Sequence, residues 1–168
     1  MPDRVKGAIF SMLGSRYRTP GKLPDLLVAD VFAGSGSMGL EALSRGAKSC
    51  VFFERDPGAL KVLRDNLRNL AVGAEACVME GDAWNHPMLS GSREYELVLL
   101  DPPYSDSDDD SPSGPLAKLL SRLAQSRMGT TIVVHHRKGT NVSVADWSGW
   151  TVVDQRVFGT NVVTILSR

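Results

Sequence analysis

Apolar and polar positions along the chain fall into a repeating unit. LLVADVFA at 26–33 is an apolar run of strand length; GSGSMG follows at 34–39, and 37–46 carries a helical pattern closed by Gly46. The unit then recurs. SCVFF at 49–53 predicts a second strand, and 56–70 predicts a helix capped by Asp56 with Pro57 in its first turn. A third strand is expected at 75–79, a short helical stretch near 84–90, a fourth strand at 95–100 (YELVLL), a helix at 116–127 and a fifth strand at 130–134 (TTIVV). Ahead of the repeats, the loose 3–4 spacing of Val5, Ile9, Phe10, Met12 and Leu13 predicts an opening helix, capped by Asp3 and ended by Gly14. Residues 15–25, with three basic residues, two prolines and a glycine, read as a loop. The tail from Trp150 alternates as two strands around Phe158-Gly159-Thr160, an antiparallel hairpin.

Strands alternating with helices imply a parallel sheet covered on both faces. Five such units followed by a hairpin are the layout of the Rossmann-like methyltransferase fold, an α/β architecture with a mostly parallel seven-stranded sheet. A single domain over 1–168 is expected, with no internal repeat.

Composition narrows the class. Lys+Arg and Asp+Glu balance at 19 each, so the chain as a whole has no pull toward polyanions. Any nucleic-acid contact must come from a local cluster or from docking on a preformed particle. Cys50 and Cys77 lie in apolar runs and read as buried thiols. Three histidines without ligand spacing argue against a metal site. No apolar run approaches the roughly 20 residues of a membrane helix, and Met-Pro-Asp-Arg opens no signal peptide. A cytoplasmic monomer away from membranes is the expectation.

Two loops carry the candidate chemistry. Gly34-Ser-Gly36-Ser-Met-Gly39 matches G-x-G-x-x-G between a strand and a helix, where the backbone turns sharply beside a ligand. Glu54 ends the second strand, 20 residues after Gly34, where it can accept hydrogen bonds from two ribose hydroxyls. That pair fits a nicotinamide dinucleotide as well as S-adenosylmethionine. Asp30 tips the choice. A buried carboxylate under the turn does not suit a pyrophosphate but suits a cofactor with an amino-acid tail and a sulfonium. Asp82, after the third strand, is placed for an adenine amino group. The cofactor candidates are Asp30, Phe32, Ala33, Gly34, Ser35, Gly36, Glu54, Arg55, Asp82 and Ala83.

Asp101-Pro102-Pro103-Tyr104 follows the fourth strand. Two prolines stiffen the loop and remove two amide donors, leaving carbonyls and a carboxylate. Such a loop accepts hydrogen bonds from an NH2 group. Asp101 and the Pro102 carbonyl can hold both hydrogens of an exocyclic base amine while Tyr104 stacks on the base. A paired base must flip out to reach it.

Three segments bear a family resemblance: DRVKGAIFSML at 3–13, DVFAGSGSMGLEALSRGA at 30–47, and DPPY at 101–104. The chain resembles the bacterial RsmD-type methyltransferases, over nearly its whole length. The resemblance implies methyl transfer from S-adenosylmethionine to the N2 amine of a guanine in 16S ribosomal RNA. Departures are also present. The family usually has a further N-terminal stretch ahead of this helix, whereas the sequence here starts almost at the helix of 1–14, and Lys6-Gly7 replaces the usual Arg-Glu. An acidic run at Asp106–Asp110 follows the loop, and His135-His136-Arg137-Lys138 replaces an acidic stretch after the fifth strand. That cluster reads as a phosphate contact or as a solvated loop, equally. Arg4, Lys6, Arg16, Arg18 and Lys22 are expected to cluster on the cofactor edge as candidate RNA contacts.

Other readings remain open. DPPY also fits an adenine-N6 methyltransferase acting on DNA or RNA. The glycine loop with Glu54 fits an NAD-dependent oxidoreductase, although no hydride-transfer constellation accompanies it. The acidic run leaves room for a non-catalytic binding module.

Overall fold

The chain opens with helix α1 (Asp3–Tyr17) and then runs β1 (Leu27–Val31), α2 (Ser37–Ser44), β2 (Ser49–Glu54), α3 (Pro57–Asn69) and β3 (Ala76–Glu80). After a 3₁₀ turn (Pro87–Leu89) come β4 (Leu97–Leu100), α4 (Pro115–Leu123), β5 (Thr131–Arg137), β6 (Thr151–Phe158) and β7 (Asn161–Ser167). The computed structural model describes residues 1–89, 95–103, 114–124, 129–140 and 149–168. Tyr104, the acidic run at 106–110 and the end of the expected 116–127 helix lie outside the described residues.

The strands form one seven-stranded sheet in the order β3-β2-β1-β4-β5-β7-β6. All pairings from β3 to β5 are parallel; β7 runs antiparallel to both β5 and β6. Alternate side chains of the central strands feed two cores, one on each face. Val28, Phe52, Leu99 and Val133 pack with α1, α2 and α3. Ala29, Val51, Phe53 and Val98 pack with α4, Tyr95 and Trp150. Both faces are covered, which is why these strands read as continuous apolar runs.

Local signals mostly act where they were read. Asp56 Oδ1 accepts the Ala59 amide at 2.7 Å, with Pro57 next to it. Three expectations are corrected. Pro2, not Asp3, occupies the cap position of α1, and Asp3 sits in the first turn, 3.5 Å from Lys6 Nζ. Gly14 does not end that helix. It is buried where a Cβ would stand 3.2 Å from the Thr19 carbonyl, so its bare surface admits the returning chain, and the helix closes at Arg18 in the left-handed region. Finally, β5 continues through His135 and His136 to Arg137, so the histidine pair lies in a core strand and not in a solvated loop.

Candidate active site

The parallel strands end on one edge of the sheet, and open α/β sheets bind ligands at that edge. β1 stops abruptly there. Phe32 takes φ 66°, a left-handed conformation costing a non-glycine residue about 1–2 kcal/mol. Its ring is held at 4.6 Å from Trp84. The Ala33 amide donates to Phe53 O at 3.0 Å and the Gly36 amide to Ala33 O at 2.7 Å, so the turn is pinned to β2 and to itself.

The three glycines of this turn serve different ends. A Cβ on Gly36 would collide with Leu63 of α3, and one on Gly39 with Phe52 and Cys50 of β2. These two let helices pack close to the sheet. Gly34, at φ 56°, has no protein atom within 4 Å of its Cβ position, so it faces open space. Packing therefore explains the second and third glycines, and the first leaves the space over the turn open.

Two carboxylates brace the turn. Glu54 Oε2 accepts the Gly34 amide at 2.7 Å, and its Oε1 accepts the amides of Arg55 and Asp56, each at 2.8 Å. A carboxylate offers about four acceptor positions, so one remains for a ligand hydroxyl. Asp30 is 2% exposed beneath the turn, where Oδ2 accepts the Gly39 amide at 2.8 Å in the first turn of α2. Burial raises its pKa to about 7 against that hydrogen bond, and the nearby charges of Asp101 and Glu54 push it the same way. Asp30 thus acts on the turn from below.

On the next strand, Asp101 leaves β4 with its side chain 26% exposed. Pro102 is buried and Pro103 exposed. Asp101 and Pro103 line a cavity of about 190 Å³ with Phe32, Phe53, Glu54, Arg55, Gly81 and Ala83. Asp101 and Pro103 after β4 and Glu54 at the end of β2 therefore share one cavity, with β1 paired to both strands. Asp82 pairs with Arg55 at 3.3 Å and lines a neighbouring cleft of about 610 Å³ with Trp84, Asn85 and Lys118. Ala33 is buried within the turn, and Ser35, exposed above it, receives Asn66 Nδ2 at its carbonyl, 2.9 Å away.

The basic residues divide. The Met1 amino group lies 3.7 Å from Asp101 Oδ2, so the start of α1, with Arg4 and Lys6, is at the site edge. α1 then runs about 22 Å down the sheet. Arg16 at its far end bonds Thr131 Oγ1 and Ser167 Oγ, at the opposite edge. Leu23 joins the end of α2 there, so Arg18 and Lys22 also stand away from the site. The expected five-residue cluster is reduced to Arg4 and Lys6, joined on the β5 side by exposed Arg137 and Lys138.

Sequence reading missed Asn161 in this region and gave His135 only as part of a phosphate-contact or loop cluster. His135 Nδ1 lies 2.6 Å from Asp101 Oδ1, and its Nε2 lies 3.0 Å from Asn161 Oδ1. The one available signal was the length of β7, whose seven residues ask for a β5 longer than TTIVV. Among the described residues, no group of three or more His, Cys, Asp or Glu side chains could hold a metal, and both cysteines are free. No helix of the described residues is long and apolar enough to cross a membrane.

A sheet ordered 3-2-1-4-5-7-6 with only β7 reversed, and a glycine turn after β1, is the Rossmann-like fold of class I S-adenosylmethionine-dependent methyltransferases. Structural neighbours agree. Escherichia coli yhhF superposes with a TM-score of 0.80 at 25% identity, covering 100% of this chain and 87% of that one. An RNA methyltransferase from Salinibacter ruber, solved in complex with S-adenosyl-L-homocysteine, gives a TM-score of 0.68 at 19% identity, covering 98% and 90%, and so shares the fold. The chain belongs to the family described as Conserved hypothetical protein 95, whose model matches residues 1–167. It is 38% identical over 106 residues to Bacillus subtilis YlbH, covering 62% of this chain and 54% of that protein. It is 34% identical over 108 residues to the Ribosomal RNA small subunit methyltransferase D of Haemophilus influenzae, covering 61% and 51%. The matches span about half the length of these relatives.

Proposed function

We propose that this chain binds S-adenosylmethionine over the 33–36 turn and methylates the exocyclic N2 amine of a guanine in small-subunit ribosomal RNA. The observation that carries this reading is the single cavity shared by Glu54 and Phe32 on one side and Asp101 and Pro103 on the other. The family membership and the ribosomal RNA methyltransferases among its relatives support the substrate class.

The residues present suit such a cofactor. Gly34 opens the turn to a ligand, Glu54 keeps an acceptor position for a ribose hydroxyl, and Phe32 with Ala83 offers apolar walls. The charges of Glu54 and Asp101 both reach Asp30. That field favours a cationic ligand over the pyrophosphate of a dinucleotide. When bound, S-adenosylmethionine supplies an electrophilic methyl carbon on a sulfonium and leaves as S-adenosylhomocysteine.

The protein's share is to hold the amine. A ring-conjugated NH2 is a poor nucleophile because its lone pair is delocalised. Asp101 and the Pro102 carbonyl accept its two hydrogens, which favours a pyramidal nitrogen and frees the lone pair. Tyr104 stacks on the base. The proton that the methylated amine sheds passes to solvent, which Asp101 already meets. Arg4, Lys6, Arg137 and Lys138 around the mouth meet phosphates, while the balanced overall charge suits docking on an assembled subunit more than on free RNA.

The test is nucleoside mass spectrometry of 16S RNA after small subunits from a gene-deleted strain are incubated with the protein and S-adenosylmethionine. N2-methylguanosine is the expected product. N6-methyladenosine would transfer the reading to an adenine target. No methylation, together with NAD binding in preference to S-adenosylhomocysteine by calorimetry, would overturn it.

A further inference from the structure

His135 and His136 are each 1% exposed in β5, on opposite faces of the sheet. His136 is accounted for by the core. Its Nε2 meets Thr164 Oγ1 at 2.9 Å, its Nδ1 meets Arg137 O at 3.0 Å, and burial holds its pKa below the ordinary value. His135 sits instead in a line of polar groups that runs across three strands to the candidate site.

Strand register builds this line. Leu100 pairs with Val134, so Asp101, one residue beyond, lies beside His135 on the neighbouring strand. On the other side His135 pairs with Val163, which makes Asn161 its diagonal neighbour on the same face. Asn161 Nδ2 donates to Phe158 O at 3.5 Å across the hairpin turn, which turns Oδ1 toward the ring. With Nδ1 against the Asp101 carboxylate, which can only accept, that nitrogen donates, and Nε2 is held against the Asn161 side-chain amide. The contact to Asp101 Oδ1, 2.6 Å, is at the short end for a hydrogen bond to a carboxylate.

A buried histidine must satisfy its nitrogens somewhere, and a purely structural role would need nothing more. Two features go beyond that. The carboxylate that His135 holds belongs to the acceptor loop and lines the cavity. Its two oxygens are also treated differently: Oδ1 is clamped by the ring at 2.6 Å, and Oδ2 stands 3.7 Å from the Met1 amine.

We propose that His135, itself oriented by Asn161, is a positioning residue: it fixes Oδ1 of Asp101 and so presents Oδ2 as the acceptor for the base amine. The proposal rests on the methyl-transfer reading above, and it assigns the C-terminal hairpin a part in the chemistry.

The test uses the full chain with His135→Phe, His135→Gln and Asn161→Ala. It reads kcat and KM on small subunits, S-adenosylhomocysteine affinity, and the ring ¹⁵N resonances of His135. His135→Phe should lower kcat roughly 10²-fold, as misplacement of a reacting group does, while KM and S-adenosylhomocysteine affinity stay near wild type. His135→Gln, which keeps an N–H donor, should recover part of the loss, and Asn161→Ala should fall between. An unchanged kcat, or kcat, KM and cofactor affinity falling together, would overturn the proposal. If His135→Phe does not fold, Asn161→Ala with the wild-type spectrum decides. The Nδ1 signal of the wild-type ring should move on Asp101→Asn; a ring indifferent to that change refutes the contact. If the wild type methylates no RNA, the functional reading fails by itself, and the spectrum still judges the positioning claim.

Discussion

Around β1 and β2 the site is made of backbone. Glu54 accepts three main-chain amides, Asp30 accepts one, and the turn they brace closes through Ala33 and Gly36. Around β4, β5 and β7 it is made of side chains: Asp101, His135 and Asn161 meet from positions 34 and 26 residues apart. The backbone half depends on conformations that few residues tolerate, so its signature is short and fixed in spacing. The side-chain half depends on strand register, so its members carry no spacing of their own. A cofactor common to many enzymes can be held by the first kind of site, whereas orienting one amine calls for the second.

Substitutions can break this contrast at either end. The largest effect is expected at Asp101→Ala, which should lower methyl transfer roughly 10²–10³-fold, by analogy with loss of one preorganised polar group. S-adenosylhomocysteine affinity should hold in calorimetry; a parallel loss of affinity would join the two halves into one unit. Next comes Gly36→Ala. A Cβ there meets Leu63 in a left-handed backbone, so chemical denaturation should show a loss of about 3 kcal/mol. Gly34→Ala should cost only the backbone conformation, about 1–2 kcal/mol, yet weaken cofactor binding, because its Cβ would enter the open space. Equal stability losses at the two glycines would refute their division of labour.

Glu54→Ala should weaken S-adenosylhomocysteine binding by roughly 1–3 kcal/mol, through lost hydrogen bonds and a freed turn. A last effect concerns Asp30. Its folded pKa, raised to about 7, lies above the unfolded carboxylate value. Between about pH 4 and 7 the folded chain keeps a proton that the unfolded chain has lost. Stability from this group therefore falls as pH rises, by roughly 1.4 kcal/mol per pH unit, and the cost is complete above the folded pKa. Asp30→Asn, which can still accept the Gly39 amide, should flatten that slope in denaturation curves at pH 5 and pH 7.

Most of the sheet was legible because its strands are covered on both faces and bounded by glycine, proline and capping residues. Asp56 with Pro57 marked α3, and Gly159-Thr160 marked the hairpin. The errors lie where a local signal served a tertiary need. Gly14 resembles a helix end because it is a glycine, but it is needed for the chain crossing beside it. His135 and His136 resemble a loop because they are polar, but polar residues enter a core strand when partners wait on the next one.

Sequence alone determined the order of the β/α units, the glycine turn with its acid at the end of β2, and the proline-stiffened acceptor loop, because each is encoded within a few neighbouring residues. Tertiary structure alone decided which glycines serve packing and which faces open space, which basic residues stand at the site edge, and that Asp101 leans on His135 and Asn161. Those facts depend on strand register and helix direction, and both are fixed only when the two cores pack.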